Sequence, residues 1–369
     1  MKCDYVVVGA GFSGATIAER IANVLKKKVL IIEQRNHIGG NCYDGYDRHG
    51  ILIHKYGPHI FHTKSQQAWD YVSGFTEWNF YHHKVLGFID GQNVPIPFNL
   101  NTLHMLFPET LASKIEEKLV AKFGLNKKVP ILDLKKARDK DLKYLADFVY
   151  EKVFLNYTIK QWGVKPEDIS PEVTARVPVF VSRDDRYFQD RFQGMPTLGY
   201  TCIFNRMLSS RNIKLCLNAD YRKMATSLRY KKLFYTGPID HFFDYKFGKL
   251  AYRSLDFKLA NIKKEYYQAG SVINYPNDYK FTRITEFKRL TWQQAGSTTI
   301  VREYPKDCVP GKDVPYYPVL NDENAKCYRK YEEETKKLKN VVFIGRLAEY
   351  KYYNMDAAVD SALSKFKEL

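Results

Sequence analysis

The sequence predicts an α/β fold in which a parallel sheet is interrupted by a helical segment and by an antiparallel sheet. Three observations carry that reading. Residues 4–9 (DYVVVG) form an apolar run. Helical apolar spacing follows from Ala15 to Leu25, and then comes a second apolar run, Lys28–Glu33 (KVLIIE). Together these make a strand–helix–strand unit of about 30 residues, the size a parallel crossover needs. From about residue 100 to 160, apolar residues recur at three and four, as a helix requires. Two further stretches, Lys84–Pro97 and Tyr252–Tyr304, are rich in Tyr, Val, Ile, Phe and Thr and broken by turn residues, the pattern of antiparallel strands.

Taken in order, the first strand, helix and second strand open the chain. In the helical stretch Gly124 and Gly163 stand where a helix would stop. Residues 232–237 (KLFYTG) and Val341–Gly345 (VVFIG) are short apolar strands ending in Gly, and Met355–Lys367 is helical in spacing. Elements of the parallel sheet thus recur at the start, near residue 235 and at the end. The expected division is a Rossmann-type domain from 1–80, 194–248 and 320–369, a helical domain over 98–165, and a sheet domain from 81–97, 166–193 and 249–319.

Hydrophobic residues make up 45% and charged residues 27% of the 369, a globular balance that excludes disorder. No segment approaches the ~18 apolar residues of a membrane span. The opening MKCDYVVVGAGFSG enters a strand at once, so no signal peptide is expected and a cytoplasmic location is. Six scattered cysteines without a CxxC pair fit a reducing compartment. No His, Cys or carboxylate cluster has ligand spacing, so no metal is expected. The net charge of +17 favours anionic partners. Lys and Arg are spread in short runs such as Lys26–Lys28, and no nucleic-acid motif accompanies them, so nucleic-acid binding is not expected.

Gly9-Ala10-Gly11-Phe12-Ser13-Gly14 matches GxGxxG between a strand and a helix. Gly9 permits the tight turn, Gly11 lets backbone approach a pyrophosphate, and Gly14 allows close helix–strand packing. The helix N-terminus offers N–H groups and partial positive charge to phosphate. Glu33, nineteen residues after Gly14, is placed to accept hydrogen bonds from ribose hydroxyls.

The run Glu33-Gln34-Arg35, followed by Gly39-Gly40-Asn41, resembles the extended dinucleotide motif of FAD-binding oxidoreductase-like folds. Tyr235-Thr236-Gly237 and Val341–Arg346 resemble later elements of the same folds, which implies FAD rather than NAD. There the usual Gly-Asp is Gly345-Arg346, which removes a carboxylate near the ribityl chain. Further stretches extend the resemblance from residue 4 to about 360: residues 54–63 (HKYGPHIFHT), 157–163 (YTIKQWG), 175–179 (ARVPV), 235–240 (YTGPID), 316–319 (YYPV) and 345–355 (GRLAEYKYYNM). They resemble the UDP-galactopyranose mutases of bacteria.

That resemblance implies a non-redox use of flavin. In that reading reduced flavin would attack the sugar's anomeric carbon through N5 and displace UDP, the sugar would reclose as the furanose, and UDP would return to the same carbon and release the flavin. It also implies site residues. Arg176 and Arg283 match guanidinium clamps on the diphosphate, which Arg grips with two parallel hydrogen bonds. Tyr187, Tyr317 and Tyr352 match its hydroxyl partners. Phe154, Tyr157 and Trp162 match the uridine side. Asn274 and His83 lie near the sugar. His59 sits beside the flavin, with Gly40, Asn41, Ile60, Arg346, Asn354 and Met355 also on the cofactor. The segment Gly163–Arg176 matches a mobile lid. Two further departures bear on specificity: His83 stands where the family often has Asn, and Asn354 where it often has Asp. UDP-N-acetylgalactosamine is therefore an alternative substrate. A homodimer through the helical domain and a place in cell-surface polysaccharide synthesis are also implied. The competing reading is an FAD-dependent oxidoreductase of the amine oxidase type on the same scaffold.

Overall fold

The computed structural model describes residues 3–168 and 178–369. The chain forms two compact units. One comprises the chain up to Tyr81, Asp190–Tyr252 and Cys308–Leu369; the other comprises His82–Gln189 and Arg253–Asp307.

The first unit is built on a five-stranded parallel sheet. Its elements are β1 (Tyr5–Val8), α1 (Phe12–Asn23), β2 (Val29–Ile32), β3 (Ile213–Cys216), β4 (Lys232–Tyr235), β5 (Val341–Phe343) and α2 (Met355–Lys367), with strand order β3-β2-β1-β4-β5. All four pairings are parallel, and Val6 faces Leu30 on one side and Leu233 on the other. A parallel sheet is covered on both faces, which is why β2 is apolar at every position and fully buried. Ile17, Ala18 and Ile21 of α1 are wholly buried. Each such isoleucine contributes roughly 1.5–3 kcal/mol of burial. β3 was not anticipated: its exposed Lys214 and Leu215 break the apolar pattern because it is an edge strand.

The second unit joins an antiparallel sheet to helices. The sheet runs Tyr252–Ile262, Thr298–Asp307, Arg283–Glu286, Val272–Asn274, Val85–Ile89, Gln92–Ile96, with only Val272–Asn274 and Val85–Ile89 parallel. The Asp90-Gly91 turn, with φ of 48° and 84°, closes the hairpin of residues 85–96 as two left-handed residues do. Helices span Leu100–Leu106, Glu109–Phe123, Lys140–Val149 and Asn156–Trp162, and Gly124 and Gly163 cap two of them with φ of 84° and 75°. The helical segment and the sheet, read as separate domains in the sequence, share one core. Val85, Ile96 and Val272 pack in it with Leu103, Ile115 and Leu145. Periodicity continuous through residue 160 conceals a π-helical turn at Tyr150–Leu155.

Candidate functional site

A cavity of about 510 Å³ opens in the first unit at the ends of the parallel strands. Such crevices are where open α/β sheets bind ligands. Gly9 has φ of 99°, and a Cβ there would stand 2.0 Å from Thr236 Oγ1. Thr236 is fixed because its hydroxyl donates to Val8 O at 2.7 Å, tying β4 to β1. A Cβ on Gly14 would meet Gly9 O at 2.0 Å, so the helix start packs directly on the turn. Gly11 differs: an added Cβ would find only Gly40 Cα, at 3.7 Å. The protein itself leaves that space clear. α1 has no side-chain cap and no acid in its first turn, so its N–H groups and dipole face the cavity uncompensated.

Glu33 is 6% exposed. Its Oε2 accepts from Ala10 N at 2.8 Å and its Oε1 from Arg35 N at 2.9 Å. It therefore shapes the loop while keeping lone pairs for ribose hydroxyls. Gly9, Gly11, Phe12, Ser13, Gly14, Glu33, Gln34, Gly40, Asn41, His59, Arg346, Asn354 and Met355 all line the cavity, whereas Ile60 is buried away from it. Asn354 occupies the N-cap of α2 without a side-chain capping hydrogen bond. Sequence reasoning missed two parts of the wall, Ala219–Arg222 after β3 and Pro310–Pro315. The first was findable only by knowing that β3 joins the sheet; the second carries no motif.

Arg346, the departure from the Gly-Asp pattern, is held in place. It donates through NH1 to Tyr316 O at 3.1 Å and through NH2 to Tyr353 O. Its guanidinium lies 5.4 Å from the Tyr317 ring centroid and 5.7 Å from that of Tyr352, and these rings stack at 5.3 Å. Glu349 holds the turn, accepting from Gly345 N at 2.7 Å and Ser361 Oγ at 3.2 Å. The fold thus brings together one cation and two phenols suited to phosphate.

His59 Nδ1–H donates to Gly57 O at 2.8 Å, and His59 N donates to His54 Nδ1 at 3.0 Å. The remaining ring nitrogen of His59, Nε2, is thereby an acceptor. Burial pushes His54 down to about 4 and His59 to about 3, the nearby His54 ring adding to the latter. Both are neutral at pH 7. Unfolded imidazoles protonate near ~6.5, so their contribution to stability is complete above that pH and declines as pH falls toward the folded values. At pH 5, His54 alone should cost about 2 kcal/mol. The melting temperature should therefore fall between pH 7.5 and pH 5, and His54→Gln should reduce that fall; an unchanged pH response in the variant would contradict this origin.

The second unit assembles a different set. Asn274 pairs directly with Arg283, and Arg283 with Glu303, across three neighbouring strands. Directly opposed residues project on one face. Arg283 Nε lies 3.2 Å from Glu303 Oε2, and its NH2 donates to Tyr157 OH at 3.0 Å. Glu303 is buried; burial raises its pKa and Arg283 pulls it back down. Asn274 Oδ1 is buried with no hydrogen-bond partner among the described residues. A buried orphan acceptor beside a fixed guanidinium is what a polar ligand would satisfy. Glu303 was missed because an acid in a strand is read as a solvent-facing residue; only register shows it under Arg283.

The Asn156–Trp162 helix carries Tyr157 and Trp162. Arg253 holds its C-terminal end, donating to Gln161 O at 2.9 Å and Lys160 O at 3.1 Å. Lys160 Nζ donates to Tyr275 O at 2.6 Å and Tyr279 O at 3.0 Å, and burial lowers it to about 8. Phe154 is 6% exposed and packs in the helical core. His83 is buried, stacked on Phe188 at 5.9 Å and edge-on to Tyr187 at 5.7 Å. Arg176 and much of the expected lid lie outside the described residues.

A family model for UDP-galactopyranose mutase matches residues 152–352, and one for an NAD(P)-binding Rossmann-like domain matches residues 7–75. A dTDP-fucopyranose mutase of Escherichia coli is 38% identical, covering 97% of this chain and 96% of its own. A probable UDP-galactopyranose mutase of Klebsiella pneumoniae is 36% identical over 99% of this chain and 94% of its own. A crystal structure of reduced UDP-galactopyranose mutase superposes with a TM-score of 0.73 at 17% identity, covering 100% of this chain and 94% of that one. A putrescine oxidase variant reaches 0.62 at 10% identity, covering 100% and 99%. At those identities the two structures share the fold alone.

Proposed function

This chain belongs to the UDP-galactopyranose mutase family, an isomerase family that depends on flavin, and on that premise we propose that it interconverts UDP-galactopyranose and UDP-galactofuranose with reduced FAD. The observation that carries the substrate reading is the row Asn274–Arg283–Glu303 with Tyr157. It offers a fixed guanidinium, a phenol and an orphan amide oxygen to a diphosphate sugar. FAD in the first unit's cavity is supported by the glycine turn, Glu33 and the clear space over Gly11.

Bound in reduced form, the flavin supplies a nucleophilic nitrogen with no net redox change. The residues do the rest. Arg283 stabilises the negative charge that develops on the departing diphosphate, and Glu303 holds the guanidinium in one orientation. Arg176 is proposed as a second cation, and Tyr187, Tyr317 and Tyr352 as hydroxyl partners of the diphosphate. Tyr157 and Trp162 form the uridine side, and His83 and Asn274 the sugar side; Phe154, expected beside them, is instead buried in the helical core. His59, neutral and with Nε2 free to accept, orients a donor on the cofactor or sugar. The family premise also supports a homodimer through the helical segment, a cytoplasmic location, and supply of furanose units to cell-surface polysaccharide. Among the described residues no helix is long and apolar enough to cross a membrane.

A second reading has a specific observation behind it: the relative named dTDP-fucopyranose mutase matches as fully as those named for UDP-galactose. The test is chromatographic conversion of UDP-galactofuranose to the pyranose, with and without dithionite, beside dTDP-fucopyranose and UDP-N-acetylgalactosamine. Conversion of the galactose nucleotide only after reduction, with no net reductant use, is the expected result. A higher kcat/KM for the fucose nucleotide would transfer the assignment to it. Steady oxygen consumption with an amine would instead support the oxidase reading.

A further inference from the structure

The net charge of +17 exceeds what the anion sites above employ. Along the chain the cations come in short runs, but the parallel sheet gathers them. Because all five strands run the same way, the turns that enter them lie along one edge of the first unit. The loops that leave them bear the cavity at the opposite end. Backbone hydrogen bonds fix this row: Val29 N donates to Asn212 O, Tyr5 N to Lys28 O, Lys231 N to Asp4 O and Leu233 N to Asn340 O, at 2.8–3.1 Å. Lys26, Lys27 and Lys28 therefore stand beside Arg211 on one side and Arg229 and Lys231 on the other, all exposed. Lys339 extends the row at β5.

All of these charges but Lys231 are uncompensated. Among the described residues, Lys26–Lys28, Arg211, Arg229 and Lys339 make no side-chain ion pair, and Lys231 lies 3.9 Å from Asp4. Asp4 is the one carboxylate in the turns 3–5, 24–29, 209–214, 228–233 and 336–341. Two aliphatic side chains are exposed beside the cations: Val24 (51%) ahead of the three lysines, and Leu215 (38%) next to Lys214.

We propose that this edge docks the protein on an anionic phospholipid surface. Such a surface matches a row of exposed Lys and Arg, all but one of them unpaired, by charge, and its acyl boundary accepts small exposed aliphatics. Single-stranded nucleic acid fits the row less well: its exposed large apolar residues include no aromatic on which a base would stack. Docking leaves the cavity end of this unit facing away from the lipid.

The test is co-sedimentation of the flavin-loaded full chain with vesicles of phosphatidylglycerol and phosphatidylcholine (30:70), against pure phosphatidylcholine. Each surface cation contributes roughly fivefold to partitioning. The triple variant Lys26→Glu, Lys27→Glu, Lys28→Glu should therefore bind at least about a hundredfold more weakly, and Arg229→Glu with Lys231→Glu at least about twenty-five-fold more weakly. Wild-type binding should fall steeply from 0.1 M to 0.5 M salt as the Debye length shrinks below ~5 Å. Flavin occupancy and turnover should be unchanged in both variants. Equal partitioning to neutral and acidic vesicles, or variants that bind acidic vesicles like wild type, would overturn the proposal. So would tighter binding of a short DNA through the same residues, which would make the edge a nucleic-acid surface.

Discussion

Replacing Arg283 by lysine is expected to lower kcat/KM by about three orders of magnitude while the protein stays folded. The guanidinium makes two contacts that diverge, Nε toward Glu303 at 3.2 Å and NH2 to Tyr157 OH at 3.0 Å. One ammonium cannot reproduce that fork. It can stay near the buried carboxylate, so charge balance survives and the melting temperature should move little. Arg283→Ala is less informative because it strands Glu303 without its cation, which costs about 3–5 kcal/mol. Glu303→Gln completes the test: it keeps shape and loosens the guanidinium, and should cost a smaller factor, about tenfold to a hundredfold. Steady-state kinetics with thermal melts on the three variants separate binding from folding. An Arg283→Lys enzyme retaining more than a tenth of wild-type kcat/KM would remove Arg283 from the diphosphate site.

Gly11→Ala and Gly14→Ala, three residues apart, should fail in opposite ways. A methyl at Gly14 would sit 2.0 Å from Gly9 O, backbone against backbone, with no rotamer to relieve it. α1 would have to shift, at a cost of about 3 kcal/mol or more. At Gly11 the nearest atom is Gly40 Cα at 3.7 Å and φ is −83°, so alanine fits the polypeptide. Its stability should change by only about 0.5–1 kcal/mol. The methyl would instead occupy the space where a pyrophosphate approaches, and flavin affinity should drop by about a hundredfold. Flavin retention after gel filtration, measured beside the melting temperature, distinguishes them. A Gly11→Ala protein that keeps its flavin like wild type would mean that this turn does not cradle the phosphates.

Local rules reach some of this protein and stop short of the rest. The glycine turn was legible because Gly9 and Gly14 answer contacts within a few residues or across one strand pair, and Gly11 sits at a fixed place between them. Gly124 and Gly163 were legible as helix stops because left-handed backbone favours glycine. β3 was not, because an edge strand alternates weakly and its membership depends on a partner nearly two hundred residues away. The π turn at Tyr150–Leu155 was hidden because its apolar spacing nearly matches that of the flanking helices.

The site divides the same way. Residue type and order alone determined the dinucleotide turn, Glu33 at the end of β2, and the set of Arg and Tyr that resembles a diphosphate site. Only the tertiary structure decided which of those residues work on each other. Strand register set Asn274, Arg283 and Glu303 in one row and thereby exposed the buried acid that sequence had passed over. The turn held by Glu349 set Arg346 against Tyr317 and Tyr352, so a departure from the expected pattern became a cation beside two phenols. The sheet's single direction collected scattered lysines on one edge. The physical reason is common to all three. Propensity and periodicity act over a few residues, whereas the charge balance, burial and orientation of a side chain are fixed by partners that only the folded chain brings within reach.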